Sequence, residues 1–387
     1  MELEKLNFII KNFFFESNVL NINEINLGKI NKTYIVEHMY MQKKSKFILQ
    51  GLANIFDSYE VLNMNHQLVV DHINNKIKND FLSVQNRRWE IPSLIKCQAN
   101  NLFIFEFEEI SWRAMRYIDN TFSTDYLEND EMARQVGIGL ARFHSICSDL
   151  DSSRILNSIS NFHNTIYYID QYSRTINTYN LEKLDHETKS RTILLISSLS
   201  EHVNYLESLI PYINKKLTDK KIIHGDPKLS NFLFDKSSKN VVSLIDLDTI
   251  STGSLLTDLA DCIRSLCNLS REDSVNDNNV YFDINICRYF LDGYFSIENN
   301  NNVYPFRFLT EFVYLIISEL TIRFLTDFLQ SNKYFKIDYK NHNLSRAERQ
   351  FQLLCSFLSQ ISNFSGMLEE RGIPVSPTFV SNLRTFI

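Results

Sequence analysis

The fold of this chain is decided by the stretch HGDPKLSN at residues 224–231, together with IDLD at residues 245–248. The pattern places one acid at Asp226, an amide five residues later at Asn231, and a second acid at Asp246. Phosphoryl transfer from a nucleotide uses such a set, because one carboxylate orients the attacking hydroxyl while other oxygen groups bind Mg²⁺. The order of these residues therefore indicates a site for phosphoryl transfer.

The residues between the two acids are typical of a β-hairpin. Apolar stretches at residues 231–234 and 241–245 flank a polar turn at residues 235–240. We expect this hairpin to bring the two acids close together despite their separation along the chain.

Three residues of the first stretch have separate expected roles. Asp226 is the predicted catalytic base, which aligns the acceptor hydroxyl and accepts its proton. Lys228 is a candidate to neutralise charge on the transferred phosphoryl group. His224 is expected to be a buried hydrogen-bonding residue that fixes the turn, rather than a participant in the chemistry.

The acids that follow the hairpin are less specific. Asp248 has two possible roles. It could contact a second metal ion or the substrate, or it could bond to the backbone of its own loop. Asp258 and Asp261 are expected to cap the following helix and to tie the loop to the lobe, because an acid in a first helical turn satisfies free N–H groups.

Composition favours a folded enzyme and excludes several other classes. The chain has 387 residues, 44% of them hydrophobic and 13% aromatic, which is ample for a packed core and suits one enzyme of two lobes. The net charge is −6 with no basic patch, so nucleic acid is not an expected partner.

The sequence also predicts a soluble, cytoplasmic protein. Six cysteines without a C-x-x-C pair are expected to be buried free thiols of a reducing compartment. The first residues include acids where a signal peptide has a basic region. The most apolar stretch, residues 306–329, is interrupted by charges, whereas a membrane span needs about 20 apolar residues.

The interval after the second acid indicates a small acceptor. Only twelve residues separate Asp246 from Asp258, and no A-P-E motif follows. A protein kinase uses a longer segment there to present a peptide. The acceptor is therefore expected to be a small molecule.

Periodicity divides the chain into a strand-rich part and a helical part. The first part is predicted to hold strands at 19–25, 33–39, 46–50, 102–107 and 111–118 and a helix at 57–77. The second is predicted to hold helices at 136–147, 191–209 and 306–329, with loops at 273–279 and 298–302. Residues 119–121 are the predicted hinge.

These motifs resemble the aminoglycoside phosphotransferase and choline kinase superfamily, which shares the protein-kinase fold. The match narrows to the N-acetylhexosamine 1-kinase family. The blocks that carry it are GKINKTY at 28–34, FILQ at 47–50, WR at 112–113, the two stretches above with IDLDT at 245–249, IRFLTDFL at 322–329, YFK at 334–336 and HNLSR at 342–346.

The resemblance implies an α+β, bilobal protein-kinase-like fold. Its small antiparallel-sheet N-lobe is expected over residues 1–118 and binds the nucleotide. Its larger, mostly helical C-lobe is expected over residues 119–387 and carries catalysis and substrate binding.

The resemblance also implies ligands. Asn231 and Asp246 are the implied ligands of Mg²⁺, since hard oxygen donors suit this ion. ATP is expected at five positions, with the purine meeting backbone near residues 116–120. These five are Gly28, Asn31, Thr33, Gln50 and Tyr117.

The acceptor residues lie in the C-terminal half. Glu311, Glu319, Arg323 and Asp327 are spaced by multiples of four and so line one helix face. By spacing alone we favour a ladder of salt bridges on a solvated side. The resemblance favours a functional role instead, because Arg323 and Tyr334 match positions that contact the sugar in that family. The expected substrate-binding residues are these two together with Asp226 and Asp246.

The expected activity is transfer of the γ-phosphate of ATP to the anomeric hydroxyl of an N-acetylhexosamine. One alternative keeps the chemistry and changes the acceptor to an aminoglycoside or a choline-type amine. Another is a degenerate phosphotransferase that binds without turnover, because Asn26 replaces a glycine and Gly51 replaces a cation of the family. Lys46 or Arg113 could supply that cation. The oligomeric state is not predicted.

Overall fold

A computed structural model describes residues 2–25, 30–79, 87–217, 219–269, 280–297 and 303–383. The predicted phosphate turn at Gly28 and the predicted loops at 273–279 and 298–302 lie outside the described residues.

Strands and helices are numbered here along the chain. The strands are β1 Asn18–Ile25, β2 Lys32–Tyr40, β3 Lys43–Gly51, β4 Leu94–Ile95, β5 Phe105–Phe107, β6 Ile110–Arg116, β7 Thr121–Phe122, β8 Lys221–Ile223, β9 Phe232–Asp235, β10 Val241–Leu244 and β11 Ser251–Gly253. The helices are α1 Glu2–Phe13, α2 Tyr59–Asn79, α3 Asp130–Ile146, α4 Thr165–Thr178, α5 His186–Lys216, α6 Leu255–Leu266, α7 Ile284–Phe295, α8 Leu309–Leu329, α9 His342–Ser359, α10 Ile361–Glu369 and α11 Pro377–Leu383.

The chain forms two compact units. Unit 1 consists of Met1–Ser123, Ser145–Ser160 and Ser230–Ser251. Unit 2 consists of Thr124–His144, Asn161–Leu229 and Thr252–Ile387. The division at residue 118 stays a prediction about domains; the compact units add two later segments to the N-terminal part of the chain.

Unit 1 is built on an antiparallel sheet with strand order β1-β2-β3-β6-β4, and β5 also pairs with β6. Side chains alternate between the two faces of the sheet along β2 and β3, so Val36, Phe47 and Leu49 lie on the buried face. Ile10 and Phe13 of α1 pack in the same core. The strands predicted at 102–107 and 111–118 pair with each other as β5 and β6, and Glu108 and Glu109 of the turn between them have φ of 50° and 63°.

The predicted hairpin is present as β9 and β10, with Phe232 opposite Leu244. Phe232, Phe234 and Leu244 are buried. The short strand β7 pairs with β9. This pairing connects residues 230–251 to the N-terminal part of the chain, and they belong to unit 1.

Unit 2 is mostly helical, as predicted. Helix α8 begins at Leu309, after a 3₁₀ turn at Tyr304–Phe308. Helix α5 extends beyond the predicted 191–209 at both ends. It begins earlier because Asp185 caps it by accepting a hydrogen bond from the Thr188 N–H.

Helices α3 and α7 meet backbone to backbone. A Cβ added at Gly137 would lie 2.0 Å from the carbonyl oxygen of Phe290, and one added at Gly293 would lie 2.0 Å from that of Arg134. Only glycine permits this approach. The crossing also positions His144 to bond the Tyr294 hydroxyl at 2.9 Å.

Two further sequence predictions concern the cysteines and the membrane. All six cysteines are free, and all but Cys355 are buried. Over the ranges described above, no helix has both the length and the apolar character that crossing a membrane requires.

Candidate active site

The turn after β8 is fixed by hydrogen bonds to one buried carboxylate of unit 2, that of Asp258. Asp258 accepts hydrogen bonds from the backbone N–H of His224 at 2.7 Å and of Gly225 at 2.8 Å. His144 Nε2 lies 2.9 Å from the same carboxylate. Gly225 has φ of 85°, in the left-handed region that favours glycine. The sequence H-G-D is therefore needed for its backbone shape as well as for its side chains.

Asp258 has one of its two predicted roles. It ties the loop to α6, as expected, but it does not cap the helix. The cap is Ser254, whose hydroxyl accepts from the Leu256 N–H at 3.3 Å, because α6 begins at Leu255. Burial disfavours the Asp258 carboxylate, but the bonds from His144 and the turn amides outweigh it, so the pKa of Asp258 is lowered.

Asp226 and Lys228 form a pair in unit 2. The Lys228 ammonium lies 2.5 Å from Asp226 Oδ2, and the two side chains are 29% and 28% exposed. The Asp226 N–H donates to His224 Nδ1 at 3.3 Å, and His224 is fully buried. His224 is thus the buried hydrogen-bonding residue that the sequence indicated. The catalytic roles of Asp226 and Lys228 stay predictions.

The predicted metal ligands both lie in unit 1, at the open end of the β9–β10 hairpin. The N–H of Ile245 donates to the Asn231 carbonyl at 2.8 Å, so the ladder sets Asn231 opposite the residue that precedes Asp246. Asp246 has φ of 66° and ψ of 59°. Left-handed backbone at an acidic residue is uncommon and concentrates at functional sites.

An amide oxygen and a carboxylate at this position fit Mg²⁺, which is held by one or two carboxylates together with nucleotide phosphates. Within the described ranges, no group of three or more His, Cys, Asp or Glu side chains could hold a metal ion. The metal role of Asn231 and Asp246 stays a prediction.

The Asp248 side chain bonds to the sheet of unit 1 rather than to the backbone of its own loop, and its contact with a metal ion or the substrate stays a prediction. Its carboxylate accepts from Arg113 Nη2 at 2.5 Å and from Asn31 Nδ2 at 2.8 Å. Arg113 also donates to Gln50 Oε1 through Nε at 3.0 Å and Nη2 at 2.8 Å. Gln50 Nε2 donates to Thr33 Oγ1 at 3.1 Å. Three predicted nucleotide residues therefore share one network with Asp248, and their role toward ATP stays a prediction.

Gly51 is explained by the packing of β6. A Cβ at Gly51 would lie 3.2 Å from two ring atoms of Trp112, tighter than ordinary contacts. A large cation at position 51 would therefore displace the tryptophan. Beside Gln50 the positive charge comes instead from the neighbouring strand, at Arg113.

Lys46, the other cation considered from the sequence, has a surface partner. Its ammonium lies 2.8 Å from a Glu37 oxygen. The same ammonium lies 5.7 Å from the ring centre of Tyr117, which follows β6 and is half-buried. The predicted contact of Tyr117 with nucleotide stays a prediction.

Arg323 of α8 lies among four aromatic rings of unit 2. Its Cζ lies 5.6 Å from the ring centre of Phe162, 4.7 Å from that of Tyr168, 5.6 Å from that of Tyr334 and 5.5 Å from that of Phe335. Contacts of this kind stabilise a cation. The structure therefore brings together Arg323 and Tyr334, the two residues that the resemblance assigned to the acceptor.

The solvated salt-bridge ladder expected from spacing alone is wrong. Glu311, Glu319 and Asp327 are buried, and the Arg323 side chain is 11% exposed, because α8 packs inside unit 2. Only one pair of this face is close, with 3.6 Å between Arg323 Nη1 and Glu319 Oε1. Asp327 instead accepts from the backbone N–H groups of residues 334–335 at 2.8 and 3.0 Å, which fixes the loop that carries Tyr334.

His163 is a site residue that the sequence did not reveal. Its Nε2 lies 2.8 Å from the Gly225 carbonyl oxygen, and its Nδ1 lies 3.5 Å from Glu319 Oε1. Burial opposes the charged ring, but Glu319 and the carbonyl outweigh it, so the pKa of His163 is raised. The Thr165 hydroxyl donates to the other Glu319 oxygen. A lone histidine has no sequence signal for such a place, because its carbonyl partner is 62 residues away.

Asp261 adds a further carboxylate near the catalytic turn. It accepts from Arg264 Nε at 2.8 Å. Burial, together with the nearby charge of Asp226, raises the pKa of Asp261 despite Arg264 and His163. Asp261 was expected to cap α6, but the cap is Ser254, and the Asp261 carboxylate bonds Arg264 of the same helix.

Comparison with known proteins gives one family match. Residues 93–282 match the model of the phosphotransferase enzyme family, APH, a stretch that includes the H-G-D turn and the hairpin. This stretch of the chain is therefore similar to the domain that this family model describes.

Solved structures match more of the chain. Amicoumacin kinase hAmiN, in complex with AMP-PNP, Ca²⁺ and Ami, is 10% identical with a TM-score of 0.55, over 91% of this chain and 93% of that one. Choline kinase from Cryptosporidium parvum Iowa II is 16% identical with a TM-score of 0.56, over 95% and 98%. Spectinomycin phosphotransferase APH(9)-Ia, in complex with ADP and spectinomycin, is 14% identical with a TM-score of 0.54, over 90% and 93%.

At these identities the likeness concerns the fold. The chain has the protein-kinase-like fold of small-molecule phosphotransferases, with an antiparallel-sheet N-terminal region and a helical C-terminal region. The α+β class predicted from the sequence is confirmed. The narrower resemblance to N-acetylhexosamine kinases stays a prediction.

Proposed function

We propose that this chain is a small-molecule kinase that uses Mg²⁺ and ATP to phosphorylate a sugar hydroxyl, the anomeric hydroxyl of an N-acetylhexosamine. The observation that carries the proposal is the cluster of Arg323 and Tyr334, in the same unit as the turn that presents Asp226. ATP as donor, the sugar as acceptor and a cytoplasmic location are all part of this proposal.

In this proposal Asp226 orients the acceptor hydroxyl and accepts its proton. Alignment of the attacking oxygen contributes more than proton transfer in a loose transition state. Lys228, 2.5 Å from Asp226 in the free protein, would neutralise charge on the transferred group. Asn231 and Asp246 would hold Mg²⁺, which shields the charge of the nucleotide phosphates when bound.

The acceptor assignment follows from the chemistry of the cluster. A guanidinium donates several hydrogen bonds in a fixed plane, which suits neighbouring sugar hydroxyls. Tyr334 is 38% exposed, so its ring has a free surface for the C–H face of a sugar. The aromatic rings already surround the cation of Arg323, which disfavours a quaternary amine in the same place. A neutral sugar therefore fits better than a choline-type acceptor.

The test is a panel of acceptors with Mg·ATP: GlcNAc, GalNAc, an aminoglycoside and choline, with products followed by phosphorus NMR. We expect a sugar 1-phosphate from GlcNAc or GalNAc, and we expect Asp226→Asn to lower the rate by about 10²-fold or more. Asp170→Asn is the matched control, because Asp170 is exposed on α4 and pairs with Arg174. Product from the amines but not from either sugar would contradict the acceptor class. An unchanged rate in Asp226→Asn would contradict the mechanism.

A second candidate is a phosphotransferase-like protein that binds without turnover. The observation in its favour is that Arg113 is engaged by Asp248 at 2.5 Å, although it is the cation beside Gln50. A thermal-shift titration with ATP separates the two candidates. Metal-dependent stabilisation, about 3 kcal/mol at a ligand concentration 100-fold above Kd, is expected of the kinase, and its absence would favour the degenerate protein.

A further inference from the structure

The peptide between Gly225 and Asp226 is held at both of its polar ends by histidines. Its carbonyl oxygen lies 2.8 Å from His163 Nε2, and its N–H donates to His224 Nδ1 at 3.3 Å. This peptide plane sets the direction in which the Asp226 side chain leaves the backbone. His224 lies in the catalytic stretch itself, whereas His163 comes from a different part of unit 2.

His163 lies in a short segment, residues 161–165, that contacts both Arg323 and Glu319 of α8. Phe162 contributes a ring to the surroundings of Arg323, and Thr165 bonds Glu319. Asn161 and His163 have φ of 58° and 56°. Two left-handed residues so close together persist only where surrounding contacts hold them, which is typical of functional segments.

We propose that His163 is a positioning residue that couples the Arg323–Glu319 pair to the Gly225–Asp226 peptide, so that an acceptor bound at Arg323 sets the orientation of Asp226. This inference rests on the proposed function. The path has three measured steps, all within unit 2. Arg323 lies 3.6 Å from Glu319, Glu319 lies 3.5 Å from His163 Nδ1, and His163 Nε2 lies 2.8 Å from the carbonyl.

The coupling needs a proton on each ring nitrogen. A carbonyl oxygen can only accept, so Nε2 carries one proton. The 3.5 Å contact of Nδ1 with the Glu319 carboxylate is an ion pair, which requires a second proton so that the ring is charged. The charged groups that face the ring are Glu319 on α8 and Asp261 on α6, each with its own arginine, Arg323 and Arg264. Deprotonation releases Nδ1 from Glu319 but leaves a tautomer that still bonds Gly225. Coupling therefore weakens as the pH rises through the raised pKa of His163.

Two variants separate the role of the ring from the role of its protons. His163→Phe keeps a ring against Phe162, which lies 4.2 Å from the histidine ring, and removes both donors. His163→Gln keeps an uncharged donor that can reach toward Gly225. His186→Gln is the matched control, because His186 is exposed at the start of α5.

We expect His163→Phe to lower kcat by about tenfold to a hundredfold, the cost of a displaced catalytic group, with the KM for ATP changed by less than about twofold. His163→Gln should recover part of kcat and lose the decline that wild type shows at high pH. A readout independent of activity is hydrogen exchange at the Asp226 amide, which should be about fivefold faster in His163→Phe, while the His186→Gln protein matches wild type.

These measurements either support or overturn the positioning role of His163. A His163→Phe protein with wild-type kcat, or with unchanged exchange at the Asp226 amide, overturns the positioning role. If wild type phosphorylates no acceptor, the proposed function fails, and the exchange experiment still decides whether His163 holds the peptide.

Discussion

The buried pair of Arg113 and Asp248 should be among the largest single contributions to the stability of unit 1. The two side chains are 1% and 5% exposed and lie 2.5 Å apart. Replacing Arg113 by methionine leaves the Asp248 carboxylate buried with the Asn31 amide, and it removes both donors from Gln50 Oε1. Removing one partner of a buried pair costs about 3–5 kcal/mol, so we expect Arg113→Met to lower the free energy of unfolding by this amount.

The assay is urea unfolding followed by tryptophan fluorescence. Both tryptophans of the chain, Trp89 and Trp112, lie in unit 1 and are buried, so their emission reports on that unit. The control is Lys5→Met, which breaks an ion pair of the same 2.5 Å length between Lys5 and Glu108. Those side chains are 41% and 53% exposed, and solvent screening limits the expected loss to at most about 1 kcal/mol.

A double variant, Arg113→Met with Asp248→Asn, completes the cycle. It removes both charges, so its loss should be smaller than the sum of the two single losses by about 0.5–3 kcal/mol. The reasoning would be refuted if Arg113→Met cost no more than Lys5→Met, or if the single losses were additive. Either result would mean that the buried charge of Asp248 is compensated by something other than Arg113.

Two further predictions concern unit 2 and are measured by circular dichroism during urea unfolding. Burial raises the pKa of Glu311 from 4.5 to about 7. The protonated carboxyl therefore stabilises the folded state below pH 4.5, and this stability is lost as the pH rises to 7. Across this window Glu311→Gln should become more stable relative to wild type, by up to about 3 kcal/mol. A difference between the two proteins that stays constant from pH 5 to pH 8 would contradict this. Gly137→Ala should destabilise by about 1–3 kcal/mol, because the new methyl group meets the Phe290 carbonyl, whereas Gly366→Ala, which has nothing within 4 Å, should be neutral or stabilising. Equal effects of the two alanines would contradict the close helix crossing.

The elements predicted correctly from the sequence depend on neighbours along the chain. The β9–β10 hairpin follows from two apolar stretches and a polar turn, and the turn at Glu108–Glu109 follows from the break between two alternating strands. The acid-amide-acid order of residues 226–246 is likewise a local pattern, and it lies within the range that the family model matches, although its catalytic role stays a prediction. Helix ends were less predictable, because Asp185 as a cap looks like any surface acid.

Contacts between residues far apart in sequence follow only from the folded chain. Spacing of four places Glu319 and Arg323 on one helix face, but the same spacing describes a solvated face and a buried one; the packing around α8 determined that this face is buried. Arg113 and Asp248 pair across 135 residues, and His163 reaches Gly225 across 62. Which chemical groups are present, and where the hairpin and its turn lie, can be read from the residues alone, because these features depend on short-range sterics and hydrogen bonds. Which charges neutralise one another depends on burial, which arises only when the chain has folded.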